Sequence, residues 1–181
     1  MAGNACKDFF LRHAGDSQKV KALQQVADAL AWENESASDH SPGPVASNES
    51  VIRQVTHPNF VDDENKIKPI WFDDVMNRGL STDRLSITTV NEVVERARRR
   101  ADERNAKPEN AERQVTVHSL GKLSVEKIRR VRCGDVQAFG VYDTGLAENP
   151  AHADVCQLVH SSQAARSVRY ELFAMTELVF V

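Results

Sequence analysis

The sequence predicts an α+β fold with a mostly antiparallel sheet, helices packed on one side of it and a helical leader in front. Short stretches with β-branched or alternating apolar residues, such as 51–55, 115–117 and 136–142, predict strands. Amphipathic stretches with helical spacing lie among them without a regular strand–helix rhythm. That order favours a fold in which helices pack against an antiparallel sheet, rather than a doubly wound parallel sheet.

The chain divides by composition into a helical leader (1–35), a flexible linker (36–50) and an α+β body (51–181). The linker is rich in serine, proline and acidic residues and has no periodicity. A helix over 16–34 is predicted for the leader, and its apolar stripe must cover either the body or another chain. That stripe consists of Val20, Leu23, Val26, Ala27 and Leu30, extended by Trp32.

Within the body, turn residues and caps separate the predicted elements. Pro69 can open a short helical segment, Gly79 lies past its end, and Thr89 or Asn91 can begin a helix that ends before Pro108. Leu85 to Thr89 alternates like a strand with one buried face. The remaining elements are predicted as strands over 114–120, 136–142, 153–159 and 178–181, a short helix over 125–131, and a last helix with Val168 and Leu172 inward.

Composition limits the classes of function. The 181 residues fit one domain, and a formal net charge of -3 gives no general attraction to nucleic acid or to an anionic membrane. No apolar run approaches a membrane span, and charged residues interrupt the only apolar patch near the N-terminus. The cysteines lack the spacing of a disulfide framework or a zinc site, which predicts a cytoplasmic protein without a cofactor. They are Cys6, Cys133 and Cys156.

A dense run of polar side chains lies between residues 53 and 84. Arg53 falls on an otherwise apolar strand, where an unpaired charge is costly, and its planar fork suits phosphate or carboxylate. The alternative is a structural ion pair with an aspartate such as Asp62, Asp63 or Asp83. The candidate catalytic residues are Arg53, His57, Ser81, Asp83 and His152, and the candidate anion ligands are Arg53, Arg78 and Arg84.

A second group comprises Asp143, His152 and Asp154. Residues 152 and 154 point the same way on an extended strand, so these side chains form a candidate metal site or a base with its orienting carboxylate. Because the spacing is short and common, an ordinary turn-and-strand role is the competing interpretation.

The helix predicted over 91–106 is rich in arginine. Its basic side chains surround the helix and alternate with acidic residues at helical spacing, which is typical of a solvated, ion-paired helix and makes nucleic-acid binding the less favoured interpretation. They are Arg96, Arg98, Arg99, Arg100 and Arg104. No phosphate-binding loop, dinucleotide fingerprint or hydrolase motif occurs.

Several short motifs carry a resemblance. Ile52-Arg53, His57-Pro58, Phe72, the loop Gly79–Arg84 and the stretch Asn149–Asp154 resemble those of a group of small uncharacterised bacterial proteins associated with defence or toxin-type loci. A weaker likeness is to ADP-ribosyltransferase-like toxins. It rests on Ile52-Arg53 and Leu80-Ser81-Thr82, and it implies a nicotinamide-dinucleotide pocket and a late catalytic glutamate, for which Glu171 and Glu177 are the candidates.

Three functions follow as expectations. The first is a non-enzymatic, protein-binding or accessory subunit of a bacterial cytosolic assembly, which contacts a partner protein or a second copy through the 16–34 helix. The second is a small enzyme or nucleotide binder, including the ADP-ribosyltransferase-like form, with a polar site on Arg53, His57, Ser81 and His152. The third is nucleic-acid binding through the 91–106 helix.

Overall fold

The computed structural model describes residues 4–160 and 162–181. Six strands form one sheet in which every pairing is antiparallel. They are β1 (Ser50–His57), β2 (Leu80–Arg84), β3 (Thr116–Ser124), β6 (Phe139–Tyr142), β7 (His152–Gln157) and β8 (Glu177–Phe180), in the spatial order β6-β7-β2-β1-β3-β8. A separate hairpin pairs β4 (Arg132–Cys133) with β5 (Val136–Gln137).

Five α-helices and three 3-10 segments are described. The helices are α1 (Ala5–Arg12), α2 (Lys19–Leu23), α3 (Val90–Asn105), α4 (Val125–Arg130) and α5 (Ser162–Ala174). The 3-10 segments are Ala31–Asn34, Pro69–Met76 and Pro108–Asn110. A capping box between Thr89 and Glu92 fixes the start of α3. The strand predicted over 85–89 is wrong, because the Arg84 carbonyl accepts the N–H groups of Ile87 and Thr88 and so makes a turn.

The sheet is covered on both faces. Consecutive strand residues point to opposite faces. Val51 belongs to the main core with Trp71 and Leu172 of α5, whereas Ile52 packs with Val93 of α3. The α+β class and the antiparallel sheet are therefore confirmed, and the single helical side is corrected to two, because β1 is apolar on both faces.

The leader packs on the same face as α3. Cys156 and Tyr142 lie on the face opposite to the main core and join a cluster with the leader residues Phe10, Leu23 and Trp32. The Tyr142 hydroxyl donates a hydrogen bond of 2.8 Å to the Ala29 carbonyl. The leader's apolar side chains therefore cover the protein's own sheet.

The single helix predicted over 16–34 is wrong. Helix α2 ends at Leu23, and a 3-10 segment follows only at Ala31. The Gln24 carbonyl, which would accept the N–H of residue 28 in a continuing helix, instead accepts a hydrogen bond of 2.9 Å from the His160 ring. The Gln24 side chain donates to the Gln157 carbonyl at 2.9 Å. These contacts fix the chain to β7 where the helix ends.

The segment predicted as a linker has Ala37 and Val45 buried. Arg84 of β2 holds it, since its guanidinium donates to the carbonyls of Gly43 and Pro44 and to the Glu49 carboxylate. The boundaries of leader, linker and body stay predictions, and residues 1–3 and 161 lie outside the described residues. In the part of the chain that the structure describes, no helix is both long and apolar enough to cross a membrane.

Candidate functional site

Polar side chains meet on the α3 face of the sheet, where β2 runs beside β7. Ser81 pairs with Asp154 and Asp83 pairs with His152, so all four project from the same face. A cleft of about 530 Å³, here called the leader cleft, lies between these strands and the leader. Its charged and polar lining includes Lys7, Asp16, Lys19, His40, Arg78, Ser81, His152 and Asp154.

Asp154 is a buried carboxylate in the wall of the leader cleft. Its Oδ2 lies 2.6 Å from Lys19 Nζ, and its Oδ1 lies 3.9 Å from His152 Nε2. Burial by itself would raise the pKa of Asp154, but Lys19, His152 and a hydrogen bond from Thr144 outweigh it, so the pKa lies below its usual value. Gly79 leaves room for this carboxylate, since a Cβ there would come within 3.1 Å of Asp154, and its φ of +88° also favours glycine.

His152 is oriented by Thr144. Its Nδ1 lies 3.0 Å from the Thr144 carbonyl oxygen and 2.9 Å from the Thr144 hydroxyl. Because a carbonyl oxygen only accepts, we assign the proton to Nδ1. In the neutral ring Nε2 is then an acceptor, and it can take a proton or a hydrogen bond from a bound molecule.

Asp143 is separate from this group. Its carboxylate accepts hydrogen bonds from the Ser36 hydroxyl (2.8 Å) and the Ala37 N–H (2.7 Å), so it holds the segment that follows the leader. Across the described ranges, no group of three or more histidine, cysteine, aspartate or glutamate side chains is arranged to hold a metal ion. The predicted trio Asp143, His152 and Asp154 is thus divided between two neighbourhoods.

A second cavity of about 80 Å³, here called the arginine cavity, adjoins the leader cleft, since Ser81 and His152 line both. Four of the five predicted catalytic candidates line it, and only His57, exposed at the end of β1, lines neither cavity. The lining residues are Arg53, Gln54, Ser81, Thr82, Asp83, Arg100, Asn149 and His152.

Arg53 reaches this cavity from the main-core side of the sheet. Its Nη2 donates to Asp74 at 3.0 Å, and its guanidinium lies 5.8 Å from the ring centroids of both Phe60 and Trp71. Its Nη1 is buried and has no hydrogen-bond partner among the described residues. Burial lowers the pKa of Arg53, although Asp74 opposes this. The partner is thus Asp74 and none of the three aspartates that the sequence suggested.

The other two predicted anion ligands differ in availability. Arg78 lies 3.3 Å from the Asp74 carboxylate, is largely exposed and lines the leader cleft. Arg84 is buried, and its donors are directed to Glu49 and to the carbonyls of 43 and 44. Arg53 and Arg78 therefore belong to the site, whereas Arg84 attaches the linker segment.

Sequence reasoning missed Asp74, Lys19 and the role of Arg100. Arg96 lies 3.3 Å from Asp83, and Arg100, one turn further along α3, lines the arginine cavity. The spacing of four residues between Arg96 and Arg100 is the signal that places both on one face of the helix. Asp83 also accepts a hydrogen bond of 2.5 Å from the Asn149 amide.

Comparisons with protein-family models, with curated proteins and with solved structures found no match. The two late glutamates that the toxin likeness implies line neither cavity. Glu177 begins β8, three strands from β2 in the sheet, and its carboxylate lies 3.6 Å from Lys122. The resemblance to proteins of defence or toxin-type loci, and the bacterial origin that it implies, stay predictions.

Proposed function

We propose that the protein binds a nucleotide-class small molecule, with an aromatic ring and an anionic group, in the leader cleft. One observation carries the proposal: a cleft of about 530 Å³ adjoins a smaller cavity lined by arginines, and Ser81 and His152 line both. Small-molecule sites in proteins occupy roughly 300–1,000 Å³ and combine apolar walls with a few placed polar groups.

The lining of the leader cleft has apolar and polar side chains, which suit the aromatic ring and the polar groups of such a ligand. Phe10, Leu11 and Leu146 supply apolar surface, and Leu11 is 72% exposed. Lys19 and His152 supply polar groups in the same cleft, with Lys19 Nζ 5.5 Å from the Phe10 ring centroid. A flat ring gains by covering exposed apolar side chains, and hydrogen-bonding groups on the ligand replace water at the polar wall.

Occluding the leader cleft tests this proposal. Ala147 lines the cleft from an exposed loop, so Ala147→Trp adds a ring there without disturbing the core. In a thermal-shift panel of nucleotides, we expect at least one to raise the Tm of the unaltered protein by roughly 5–10 °C at about 100 times Kd. Ala147→Trp abolishes that rise.

The matched control is Ala111→Trp, which adds the same ring in an exposed loop that lines neither cavity. It should leave the rise in Tm unchanged. A panel with no stabilising nucleotide, or a rise that survives Ala147→Trp, contradicts the proposal.

A second candidate function is protein binding through β8, with a second copy of this chain as the partner. Strand β8 is an edge of the sheet, and Phe180 on it is 69% exposed. An exposed apolar edge is a template for strand pairing. An antiparallel β8–β8 pair centred between Leu178 and Val179 sets each Glu177 opposite a Phe180, so no like charges meet.

Size-exclusion chromatography with light scattering tests the second candidate. We expect a dimer at micromolar concentration that Phe180→Glu converts to a monomer, because the charge would be buried at the pairing edge. Ile70→Glu alters another exposed apolar residue, away from the strand, and should leave the dimer intact. A monomeric unaltered chain, or equal effects of both variants, rejects β8 pairing.

The cytosolic location proposed from the sequence is supported by cysteine chemistry. Cys6, Cys133 and Cys156 are all free thiols. Burial raises the pKa of Cys6 to about 12 and also raises that of Cys156, so both stay protonated. Such thiols are typical of a reducing compartment.

A further inference from the structure

The arginine cavity lies in a region with excess positive charge. Asp74 is shared by Arg53 and Arg78, and Asp83 is paired with Arg96. Arg100 lines the cavity and makes no hydrogen bond or ion pair with the described residues. In ion pairs, three of these guanidinium groups thus share two carboxylates, and Asp154 and Glu92 add attraction to Arg53 and to Arg96 respectively. Arg100 is the guanidinium that lacks a counter-charge among the described residues.

Hydrogen-bond donors around the cavity are also unused. Arg53 Nη1 is buried without a partner, and so is Arg96 Nε behind Asp83. The Arg100 guanidinium, the Ser81 hydroxyl and the Gln54 amide make no side-chain hydrogen bond within the described part of the chain. Thr82 differs, since its hydroxyl donates to the Ala153 carbonyl at 2.8 Å. A buried donor without an acceptor is costly, so an acceptor-rich group is favoured here.

We infer that the arginine cavity is a phosphoryl subsite, which receives the phosphate of the ligand whose remainder fills the leader cleft. Only the statement that the rest of the ligand fills the leader cleft rests on the proposed function. Arginine forks bind phosphate and carboxylate alike. The phosphoryl group is favoured because its three terminal oxygens point in three directions and can accept from Arg53, Arg100 and Ser81 on different sides, whereas the acceptor sites of a carboxylate lie in one plane.

The subsite is adjacent to the larger cleft, as this division of a ligand requires. Ser81 and His152 line both spaces, so a phosphate in the cavity would lie beside the His152 ring. His152 Nε2, when protonated, is a further donor to it.

Isothermal titration calorimetry of the full chain with inorganic phosphate and with pyrophosphate tests the subsite. We expect millimolar or tighter binding at low ionic strength. Arg100→Gln should weaken it about tenfold or more, since a hydrogen bond to a charged group contributes roughly 1.5–3 kcal/mol. Arg100 is exposed and lacks a partner, so this variant leaves the fold unchanged.

Arg98→Gln is the matched control. Arg98 is exposed on the same helix and lines neither cavity, so the variant removes the same charge and should change the phosphate affinity by less than about twofold. Absence of phosphate binding, or equal loss in both variants, overturns the subsite.

A nucleoside and its monophosphate separate this inference from the proposed function. Arg100→Gln should weaken the monophosphate and leave the nucleoside unchanged, whereas Ala147→Trp should weaken both. Nucleotide binding that Ala147→Trp abolishes and Arg100→Gln leaves unchanged would show that the subsite is wrong and that the leader cleft still binds ligand. If phosphate binds through Arg100 but no nucleotide binds, the subsite stands and the proposed function fails.

Discussion

At the scale of single residues, the ion pair between Asp154 and Lys19 joins the leader to β7 and also lines the leader cleft. The Asp154 side chain is 3% exposed and that of Lys19 is 13% exposed, with 2.6 Å between Nζ and Oδ2. Burial would lower the pKa of Lys19, but Asp154 raises it above its usual value, and the pKa of Asp154 is lowered. Both groups are therefore charged at neutral pH, and burial largely shields their ion pair from water.

Asp154→Asn should destabilise the protein by about 3–5 kcal/mol at pH 7, because it leaves Lys19 buried without a counter-charge. The folded pKa of Asp154 is depressed, so its stabilisation is present above the unfolded value of about 3.9 and is lost as pH falls through the folded value. Urea unfolding at neutral pH and below pH 4 measures this, and the difference between the proteins should shrink in acid.

The control is Asp39→Asn, which breaks the exposed pair of Asp39 with Lys7. That pair is screened by water, so the variant should unfold with nearly the unaltered midpoint at both pH values. A loss for Asp154→Asn no greater than that for Asp39→Asn would show that the buried pair contributes no stability.

The types of reactive side chain were easier to predict from the sequence than the partners that each side chain contacts. The need of Arg53 for a partner follows from its place on an apolar strand, but Asp74 becomes that partner only because the 3-10 segment Pro69–Met76 packs over β1. Ser81, Asp83 and His152 could be selected as reactive types. Their convergence depends on the register of β2 against β7, which joins residues about 70 apart in sequence and leaves no local signal.

At the scale of elements, local signals predicted α3 and failed for the leader. The Thr89–Glu92 capping box and the stripe Val93, Val94 and Ala97 are properties of neighbouring residues, and both are present in the folded helix. The leader has helical spacing over a longer stretch, but contacts of Gln24 with β7 and with His160 interrupt it. Tertiary hydrogen bonds therefore override a periodic pattern where the chain must follow a sheet.

For the whole molecule, the arrangement of layers makes the cleft. The leader and α3 pack on the same face of the sheet, over β6–β7 and over β1–β3 respectively. The polar pairs of β2 with β7 lie between them, where Lys19 of the leader reaches Asp154 and Arg96 of α3 reaches Asp83, and both cavities open there. No property of one segment encodes such a gap, so the sequence predicted some of its residues, such as Ser81 and His152, without its location.

Because the leader closes one face of the sheet, we predict that leader and body unfold together. The chain has two tryptophans, and Trp32 lies in the leader cluster whereas Trp71 is buried in the main core. Trp71→Phe leaves only the leader reporter, and Trp32→Phe leaves only the body reporter. In each variant the urea midpoint from fluorescence should coincide with that from far-ultraviolet circular dichroism.

Each variant serves as its own reference, since any stability lost on replacing a tryptophan moves both of its curves equally. The packing of Tyr142 and Cys156 under the leader, with Asp154 paired to Lys19, is the physical reason for one transition. A Trp32 signal that changes at lower urea than the circular dichroism of the same variant would show a leader that detaches first. The leader cleft would then be lost before the sheet, and a ligand bound in it should bring the two midpoints together.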